Sequence, residues 1–434
     1  MIERNSNLRM LSDWLVYLEC LHPKIIEMGL ERVNQVKINL GFSPSFPIIT
    51  VSGTNGKGSI CLMMEAILSR AGYHVGCYTS PHLFRYNERI RINQQEVSDN
   101  ELCKAFNIVE TARINSDVSL TYFEFGTLAA MQLFIQAGVD IAILEVGLGG
   151  RLDAVNIFDA DCAVLASIDC DHMDYLGDTR EKIGFEKAGI FRIGKTAICS
   201  DSNAPASIRQ HADSIGARLM LIGEHFGYWD KTTLWNYWGD KRRYYSLPRP
   251  ALEGFHQLRN ASACLAALDT VRDILPITIS NICQGLLKVA LPGRFQVLPR
   301  KPIIVLDVAH NPNAVHALST SLSGMGFHQT TYAVFAILKD KDIDGVVRAL
   351  IPKVDVWLIA DINSPRGAST DEVVQALENA GVSKASGAIL VFSNPVAAYV
   401  FACKQSTKND RICVFGSFYV VGEVMEYLNL VKYE

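Results

Sequence analysis

The stretch Ile48-Ile49-Thr50-Val51-Ser52-Gly53-Thr54-Asn55-Gly56-Lys57-Gly58-Ser59 decides the fold. Its first five residues are mostly apolar or β-branched, which predicts a short buried strand. A glycine-rich turn follows, then a lysine and a hydroxyl, and Ile60–Leu68 is apolar enough to predict a buried helix. This order is typical of a phosphate-binding loop, in which amides at the helix start face phosphate groups.

The stretch departs from the strict pattern G-x-x-x-x-G-K-[ST]. Val51 stands where the first glycine would fall, and Gly58 separates Lys57 from Ser59. An ordinary glycine-rich turn between a strand and a helix is therefore the alternative. The flanking strand and helix favour phosphate binding, with Lys57 supplying a point charge and Ser59 a ligand for Mg²⁺.

The composition is that of a globular enzyme with a substantial core. The chain has 434 residues, enough for two or three domains, with 49% hydrophobic and 20% charged residues. The net charge of -4 gives no basic footprint for nucleic acid, and no apolar run suffices to cross a membrane. The 11 cysteines never form C-x-x-C pairs, which predicts reduced core thiols, and Met1–Ser6 lack the order of a signal peptide. We therefore expect a cytoplasmic protein.

Two further predicted strands end in acidic residues. One carries Glu145 at its carboxyl end, and a carboxylate in such apolar surroundings is costly unless it is paired or binds a metal ion. The other ends in Asp169-Cys170-Asp171-His172-Met173-Asp174, which predicts a cation or phosphate site with His172 as a ligand. Helix capping by Asp171 or Asp174 is the alternative.

The last third of the chain predicts a second domain. Pro292-Gly293 marks a boundary, and we place the linker at residues 293–300. Strands and helices then alternate, which predicts a parallel doubly wound sheet. Asp307 and His310 follow one of its strands and predict a small polar ligand, although an aspartate there also suits a helix cap. Before the boundary, residues 217–250 mix aromatic and basic side chains, which favours a β-ribbon over binding of single-stranded nucleic acid.

These patterns predict an α/β protein. Residues 1–293 form a P-loop ATPase-like domain with a central, mostly parallel sheet, and residues 300–434 form a smaller Rossmann-like α/β domain. A nucleotide held by its phosphates, together with a second polar edge, suits phosphoryl transfer to a second substrate or ligation of one.

A set of motifs runs in a fixed order through nearly the whole chain: Ser52–Ser59, Thr79–Leu83, Leu144–Ala154, Asp171-His172, Glu186–Ile190, His256-Gln257 with Asn260, Leu291–Phe295, Asp307–Pro312 and Phe415–Ser417. Together they resemble the bacterial bifunctional dihydrofolate synthase/folylpolyglutamate synthase family of the Mur ligase superfamily. Two positions depart from that family, which often has threonine at Val155 and commonly has glycine at Gln94.

The resemblance implies an ATP-dependent ligase. It would add L-glutamate to dihydropteroate, forming dihydrofolate, and to reduced folates, forming folylpolyglutamates, through an acyl phosphate. A monofunctional folylpolyglutamate synthase, a Mur-type ligase for cell-wall precursors and a non-catalytic nucleotide-dependent binding protein are the alternatives. We expect a monomer that uses ATP and two Mg²⁺ ions, with a monovalent cation as a further candidate.

The resemblance also assigns residues. The nucleotide set is Gly53, Thr54, Asn55, Gly56, Lys57, Gly58, Ser59, Asn260, Arg294 and Asp307, and the magnesium set is Ser59, Ser80, Glu145 and His172. The pterin set is Gly29, Leu30, Glu31, Arg32, Thr121, Tyr122, Phe123, Glu124, Asp153, Ala154 and Val155, and the glutamate set is His310 and Ser417. The catalytic set is Lys57, Lys187 and His310. By itself Lys187 is most simply a solvated lysine, whereas the resemblance implies that it is carbamylated.

Overall fold

The computed structural model describes residues 10–383 and 387–430. The segment on which the signal-peptide expectation rests lies outside them. The chain divides into two units. The first contains the chain up to Ala251 together with Leu258–Val289, and the second contains Leu252–Gln257 and the chain from Ala290 onwards.

The first unit is built on a sheet of eight strands. In chain order they are β1 (Ile48–Ser52), β2 (Val75–Tyr78), β3 (Ile90–Ile92), β4 (Gln95–Glu96), β5 (Ile141–Glu145), β6 (Cys162–Leu165), β7 (Thr196–Cys199) and β8 (Arg218–Leu221). Their spatial order is β4-β3-β2-β5-β1-β6-β7-β8. Neighbours from β2 to β8 run parallel, while β3 and β4 are antiparallel at one edge. Strand β1 is buried along its whole length, as its apolar pattern predicted.

The described part of this unit also contains α-helices, several of which begin at a residue whose side chain caps the helix. They are α1 (Leu11–Leu21), α2 (Glu31–Leu40), α3 (Lys57–Arg70), α4 (Asp99–Ser116), α5 (Tyr122–Ala137), α6 (Met173–Leu176), α7 (Arg180–Ala188), α8 (Ala206–Ile215), α9 (Gln257–Val271) and α10 (Ile279–Lys288), with 3-10 turns at Tyr86–Arg89 and Ala154–Ile157. Helix α5 shows the pattern best. Thr121 and Glu124 form a capping box at its start, and left-handed Gly138 ends it.

A separate antiparallel ribbon follows β8. Its strands are β9 (Gly227–Lys231), β10 (Leu234–Trp238) and β11 (Arg243–Pro248). The rings of Tyr237 and Tyr244 stack with centroids 5.7 Å apart, and Trp235 is fully buried beside them. The β-ribbon prediction is therefore confirmed, with much of its aromatic surface used for packing.

The second unit has a sheet of six strands. They are β12 (Gln296–Leu298), β13 (Ile303–Asp307), β14 (Thr331–Phe335), β15 (Val356–Ala360), β16 (Ile389–Phe392) and β17 (Arg411–Phe415), in the spatial order β12-β13-β17-β14-β15-β16. The helices are α11 (Pro312–Gly324), α12 (Ile343–Leu350), α13 (Thr370–Asn379), α14 (Pro395–Gln405) and α15 (Phe418–Tyr427), with a 3-10 turn at Ile351–Lys353. The predicted parallel alternation is present from β13 onwards. The segment expected to be a linker instead contains β12, which pairs antiparallel with β13.

Two expectations from composition can be compared with the structure. No helix among the described residues is long and apolar enough to cross a membrane. All 11 cysteines are free thiols, but only six are buried, since Cys103 and Cys283 are partly buried and Cys20, Cys170 and Cys403 are exposed; the description as core thiols does not extend to these five.

Helix α10 packs against α3 so closely that it requires a glycine. A Cβ atom on Gly285 would lie 2.6 Å from the Cα of Ile67 and 2.8 Å from its backbone nitrogen. Because backbone atoms cannot rotate away, Gly285→Ala should lower the free energy of unfolding by about 1–3 kcal/mol. Urea denaturation followed by circular dichroism measures this change.

Gly324→Ala is the matched control, because it is also helical and a Cβ there would meet nothing within 4 Å. This variant should be as stable as the wild type or slightly more stable. Equal midpoints for the two variants would contradict the close contact between the helices.

Candidate functional site

The glycine loop lies at the carboxyl end of the central strand β1. Gly53 and Gly56 have φ angles of 143° and 96°, a region that favours glycine. A Cβ atom on Gly53 would lie 2.7 Å from the Cβ of Ala166, and one on Gly56 would lie 2.8 Å from Oδ1 of Asn260. The loop therefore fits closely against the end of β6 and against Asn260, which the sequence assigned to the nucleotide.

Hydrogen bonds hold this loop to the segment after β6. The amide of Thr54 donates to the carbonyl of Ser167 at 2.6 Å, and the amide of Asn55 donates to its hydroxyl at 3.2 Å. Lys57 begins α3 and donates through Nζ to the carbonyls of Gly53, at 3.1 Å, and Thr54, at 3.4 Å. The start of α3 and the lysine ammonium thus lie together, and this arrangement suits phosphate oxygens.

The predicted magnesium ligands follow neighbouring strands. Glu145 ends β5, pairs in register with Val51 of β1, and is 4% exposed. Its carboxylate accepts a hydrogen bond of 3.2 Å from the amide of Ser80, the residue two positions after β2 ends. Ser59 is buried in the first turn of α3. Hydroxyl and carboxylate oxygens are ligands that Mg²⁺ prefers, so these three residues fit the ion.

His172 occupies a different kind of position. It precedes α6 in the left-handed conformation, with φ of 52°, and its amide donates to Oδ1 of Asp171 at 2.9 Å. The alternative that Asp171 or Asp174 caps a helix is wrong, because His172 itself holds the N-cap position. Among the described residues no group of three or more His, Cys, Asp or Glu side chains could hold a metal ion, so the predicted magnesium set depends on its two serines.

Lys187 is buried. Its exposed fraction is 5%, so the interpretation as a solvated lysine is wrong. Burial, together with the charge of Lys57, lowers the pKa of its ammonium group to about 7, although the carboxylates of Asp171 and Asp153 act in the opposite direction. A substantial fraction of this amine is therefore neutral and nucleophilic near pH 7.

Residues of the predicted pterin set are joined by a buried ion pair. Nη2 of Arg32 donates to Oε1 of Glu124 at 2.9 Å, which links the start of α2 to the start of α5. Glu124 also caps α5 with Thr121, so both of these side chains are committed to the fold. Gly29 has a left-handed φ of 148°, and Leu30 and Glu31 form the start of α2.

The loop after β5 supplies the rest of the pterin set. Asp153 accepts hydrogen bonds from the amides of Leu148, at 2.9 Å, and Val155, at 3.0 Å, while burial raises the pKa of its carboxyl group to about 7. Ala154 and Val155 are buried in the 3-10 turn that follows. The ring of Phe123 packs directly over Gly147. A Cβ atom on Gly147 would lie only 2.7 Å from this ring.

Sequence reasoning missed a cationic and aromatic cluster beside Tyr122. The guanidinium of Arg89 lies 5.4 Å from the ring centroid of Tyr122 and 5.3 Å from that of Tyr86, and its Nε donates to Nδ1 of His82 at 2.7 Å. Polar and apolar residues alternate over positions 87–93, which is a partial signal for this cluster. An alternation of this kind shows which side chains share a face of a strand, but it does not show which aromatic ring a side chain contacts.

In the second unit, the predicted residues follow β13 and β17. Asp307 accepts from the amides of Phe295, at 2.9 Å, and Ala309, at 2.7 Å, and burial raises the pKa of its carboxyl group to about 6. The capping alternative for Asp307 is wrong, because Asn311 caps α11. Ser417 caps α15.

The remaining predicted residues of this unit, Arg294 and His310, both lie beside the ring of Phe418. The guanidinium of Arg294 lies 5.2 Å from the ring centroid of Phe418, and the ring centroid of His310 lies 6.1 Å from the same ring. Nδ1 of His310 hydrogen-bonds the carbonyl of Val308 at 2.7 Å, so Nδ1 carries the hydrogen and Nε2 is left as the acceptor of the neutral ring.

Comparison with known proteins identifies the class. The Mur ligase middle domain model matches residues 51–268, and the Mur ligase glutamate ligase domain model matches residues 293–418. The chain therefore belongs to the Mur ligase family. It is 42% identical to the dihydrofolate synthase/folylpolyglutamate synthase of Escherichia coli, with 96% of each chain covered, and 40% identical to that of Haemophilus influenzae, with 95% and 96% covered. It belongs to the dihydrofolate synthase/folylpolyglutamate synthase family, as the resemblance implied.

Solved structures show the same fold. E. coli FolC in complex with DHPP and ADP superposes with a TM-score of 0.91 at 41% identity, covering 98% of both chains. A bifunctional folylpolyglutamate synthase/dihydrofolate synthase with Mn, AMPPNP and L-glutamate bound superposes with a TM-score of 0.89 at 44% identity, covering 97% of this chain and 98% of the other. The predicted α/β fold class is confirmed.

The pKa of Lys187 predicts a pH-dependent stability. Between about pH 7 and pH 10, the unfolded chain keeps a proton on this lysine that the folded chain releases. Unfolding therefore takes up a proton in this window, and the lysine's unfavourable effect on stability decreases as the pH rises. Lys187→Met should be more stable than the wild type at pH 7, by a margin that shrinks towards pH 10, in unfolding experiments without CO₂.

Lys182→Met is the matched control, since Lys182 lies on the same helix with its side chain 63% exposed. Its difference from the wild type should be small at every pH. A margin for Lys187→Met that does not change with pH would contradict the lowered pKa.

Proposed function

We propose that this protein is an ATP-dependent ligase that joins L-glutamate to dihydropteroate and, in a second activity, to reduced folates. One observation carries the proposal. The glycine loop after β1 and the buried carboxylate of Glu145 after β5 lie at the ends of paired strands, in a chain matched over 96% of its length by a relative with both activities in its name. We further expect a monomeric, cytoplasmic enzyme.

The reaction begins with transfer of the γ-phosphoryl group of ATP. An oxygen of the acceptor carboxylate attacks the γ-phosphorus, ADP leaves, and an acyl phosphate forms. Lys57 and the amides at the start of α3 stabilise the charge on the phosphoryl oxygens. The other loop residues and Asn260 bind the nucleotide, as do Arg294 and Asp307 of the second unit.

Ser59, Ser80, Glu145 and His172 would hold two magnesium ions, which supply charge neutralisation at the phosphates. A monovalent cation is a further candidate. Glu145 is suited to binding a magnesium ion, because its buried carboxylate accepts a hydrogen bond from the amide of Ser80. The carboxylate is therefore held in place before any ligand binds.

The second step forms the amide bond. The neutral amine of glutamate attacks the acyl carbon, and the tetrahedral intermediate expels inorganic phosphate. His310 and Ser417 bind and orient the glutamate. We assign the proton that leaves the amine to His310, since an imidazole can act as a general base near neutral pH.

The acceptor is held by the pterin set. Phe123 offers a ring face for stacking, and Arg32, Asp153 and the turn at Gly29 surround the acceptor. The folate-only and cell-wall alternatives differ from this proposal in the acceptor alone, since all three share the ATP chemistry. The 42% identity to a relative named for both folate activities supports the bifunctional assignment.

Product analysis by mass tests the function. With ATP, Mg²⁺ and L-glutamate, the wild type should add one glutamate to dihydropteroate and further glutamates to tetrahydrofolate. Lys57→Ala should lose ligation by about 10²-fold or more, because the phosphoryl oxygens lose their lysine charge.

Lys182→Ala, an exposed lysine on α7, should ligate at the wild-type rate. A wild type that forms ADP only with UDP-linked cell-wall precursors would overturn the folate assignment. Near-normal ligation by Lys57→Ala would remove the loop from the phosphoryl transfer step.

Carbamylation of Lys187 is a separate part of the proposal. Only the neutral amine reacts with CO₂, and the lowered pKa supplies that form near pH 7. The resulting carbamate would place a negative charge near Lys57, whose own charge contributes to the lowered pKa of Lys187. Lys187→Ala should be weakly active, and short carboxylic acids such as acetate should restore part of the activity by filling the space with a carboxylate.

Arg180→Ala, on the same helix but directed to Asp201, should gain nothing from acetate. Failure of every short acid to rescue Lys187→Ala, in a wild type that is active, would count against carbamylation.

A further inference from the structure

The segment His22–Leu30, which we call the acceptor loop, leads into the pterin residues of α2. It lies between α1 and α2 and has no helix or strand of its own. Within the described chain, no backbone group of residues 23–29 makes a backbone–backbone hydrogen bond. Side chains must therefore fix its shape, because a loop without such bonds otherwise samples many conformations.

Glu27 is the centre of the side-chain contacts in the acceptor loop. Its carboxylate accepts from Nε2 of His22 at 2.6 Å and lies 3.4 Å from Nη1 of Arg32. Its backbone carbonyl accepts from Nη2 of Arg32 at 3.2 Å. The hydrogen bond from His22 is the main reason why the pKa of the Glu27 carboxyl group is lowered. Glu27 thus contacts His22 at the start of the acceptor loop and Arg32 just beyond its end.

His22 fastens the same loop to the second pterin stretch. Its side chain is 7% exposed, and Nδ1 lies 2.8 Å from the hydroxyl of Ser119, two residues before the cap of α5. Because a carboxylate can only accept, Nε2 carries a hydrogen towards Glu27, and Nδ1 shares a hydrogen bond with the hydroxyl of Ser119. The ion pair from Arg32 to Glu124 closes the ring of contacts from the other side.

We propose that His22 and Glu27 are positioning residues for the acceptor, and that they hold the acceptor loop against the start of α5 in the conformation that binds a pterin-bearing carboxylic acid. This inference rests on the proposed function for its substrate. It assigns no chemical step to either residue, since both act through Gly29 and Arg32. The glycine loop after β1 has its own backbone contacts. Loss of the His22 or Glu27 side chain should therefore weaken binding of the acceptor and leave binding of ATP unchanged.

Steady-state kinetics provide the first test. His22→Ala should raise KM for dihydropteroate by about tenfold, because a buried hydrogen bond to a charged group is lost. It should leave kcat and KM for ATP unchanged, which general destabilisation would not. Ser119→Ala removes the partner of Nδ1, and Glu27→Gln removes the charge but keeps an acceptor for Nε2, so both should show smaller rises in the same constant. Lys24→Ala is the matched control: its ammonium lies 3.7 Å from Glu27 but is 65% exposed, so no constant should change.

Limited proteolysis provides a second test that needs no ligation. Trypsin should cut the bond after Lys24 several-fold faster in His22→Ala and Glu27→Gln than in the wild type, and dihydropteroate should slow this cut in the wild type. Fragment masses identify the site. If His22→Ala does not fold, Ser119→Ala and Glu27→Gln carry both comparisons.

Equal cleavage rates and an unchanged KM in these variants would overturn the inference. Faster cleavage with an unchanged KM would also overturn it, because the loop would then move without consequence for the acceptor. A wild type that does not ligate glutamate to dihydropteroate would refute the proposed function instead, and cleavage with and without dihydropteroate would still decide whether the loop responds to this acceptor.

Discussion

Parallel pairing of β1 with β5 and β6 is the constraint on which the first unit depends. The register places Val51 beside Glu145 and Ser52 beside Leu165. All three strands therefore end at one edge, and the loops that leave them must meet there. The hydroxyl of Ser52 donates to the carbonyl of Gly149 at 2.6 Å, which fastens the loop after β5 to the glycine loop. A single buried strand thus positions the glycine loop, the carboxylate of Glu145 and the loop that contains Asp153.

The edge carries buried ionisable groups that a stable core would avoid. Glu145, Asp153 and Lys187 are each at most 5% exposed. The fold tolerates them in different ways. Backbone amides accommodate the carboxylate of Asp153, whereas the pKa of Lys187 falls until the amine can be neutral. Such groups are costly to keep in the absence of ligands, and their concentration at one sheet edge is typical of a functional site.

The sequence predicted features that depend on local chemistry. Gly53 and Gly56 marked the turn after β1, and both have φ angles in the region that favours glycine. Features set by distant contacts were not predictable. Lys187 lies at a helix end that predicts an exposed side chain, yet it is buried, and the loop after β5 packs against its backbone carbonyl at Gly150. Pro292-Gly293 predicted a turn, and a turn is present, but it leads into β12 rather than into a linker. The amide of Val308, just after β13, donates to the carbonyl of Gly293 and holds this turn beside the sheet.

The two halves of the first unit's site are held by different interactions, and this has a consequence for specificity. The glycine loop is fixed by backbone hydrogen bonds and by glycines at which a Cβ atom would meet Ala166 or Asn260, so its sequence can change little. The acceptor loop is fixed by His22, Glu27 and Arg32, and side-chain contacts can be exchanged for others without moving a strand. Loops held in this way are where one fold acquires different substrates. A common ATP chemistry with separate acceptors is therefore what this division of the site predicts for Mur ligases as a class.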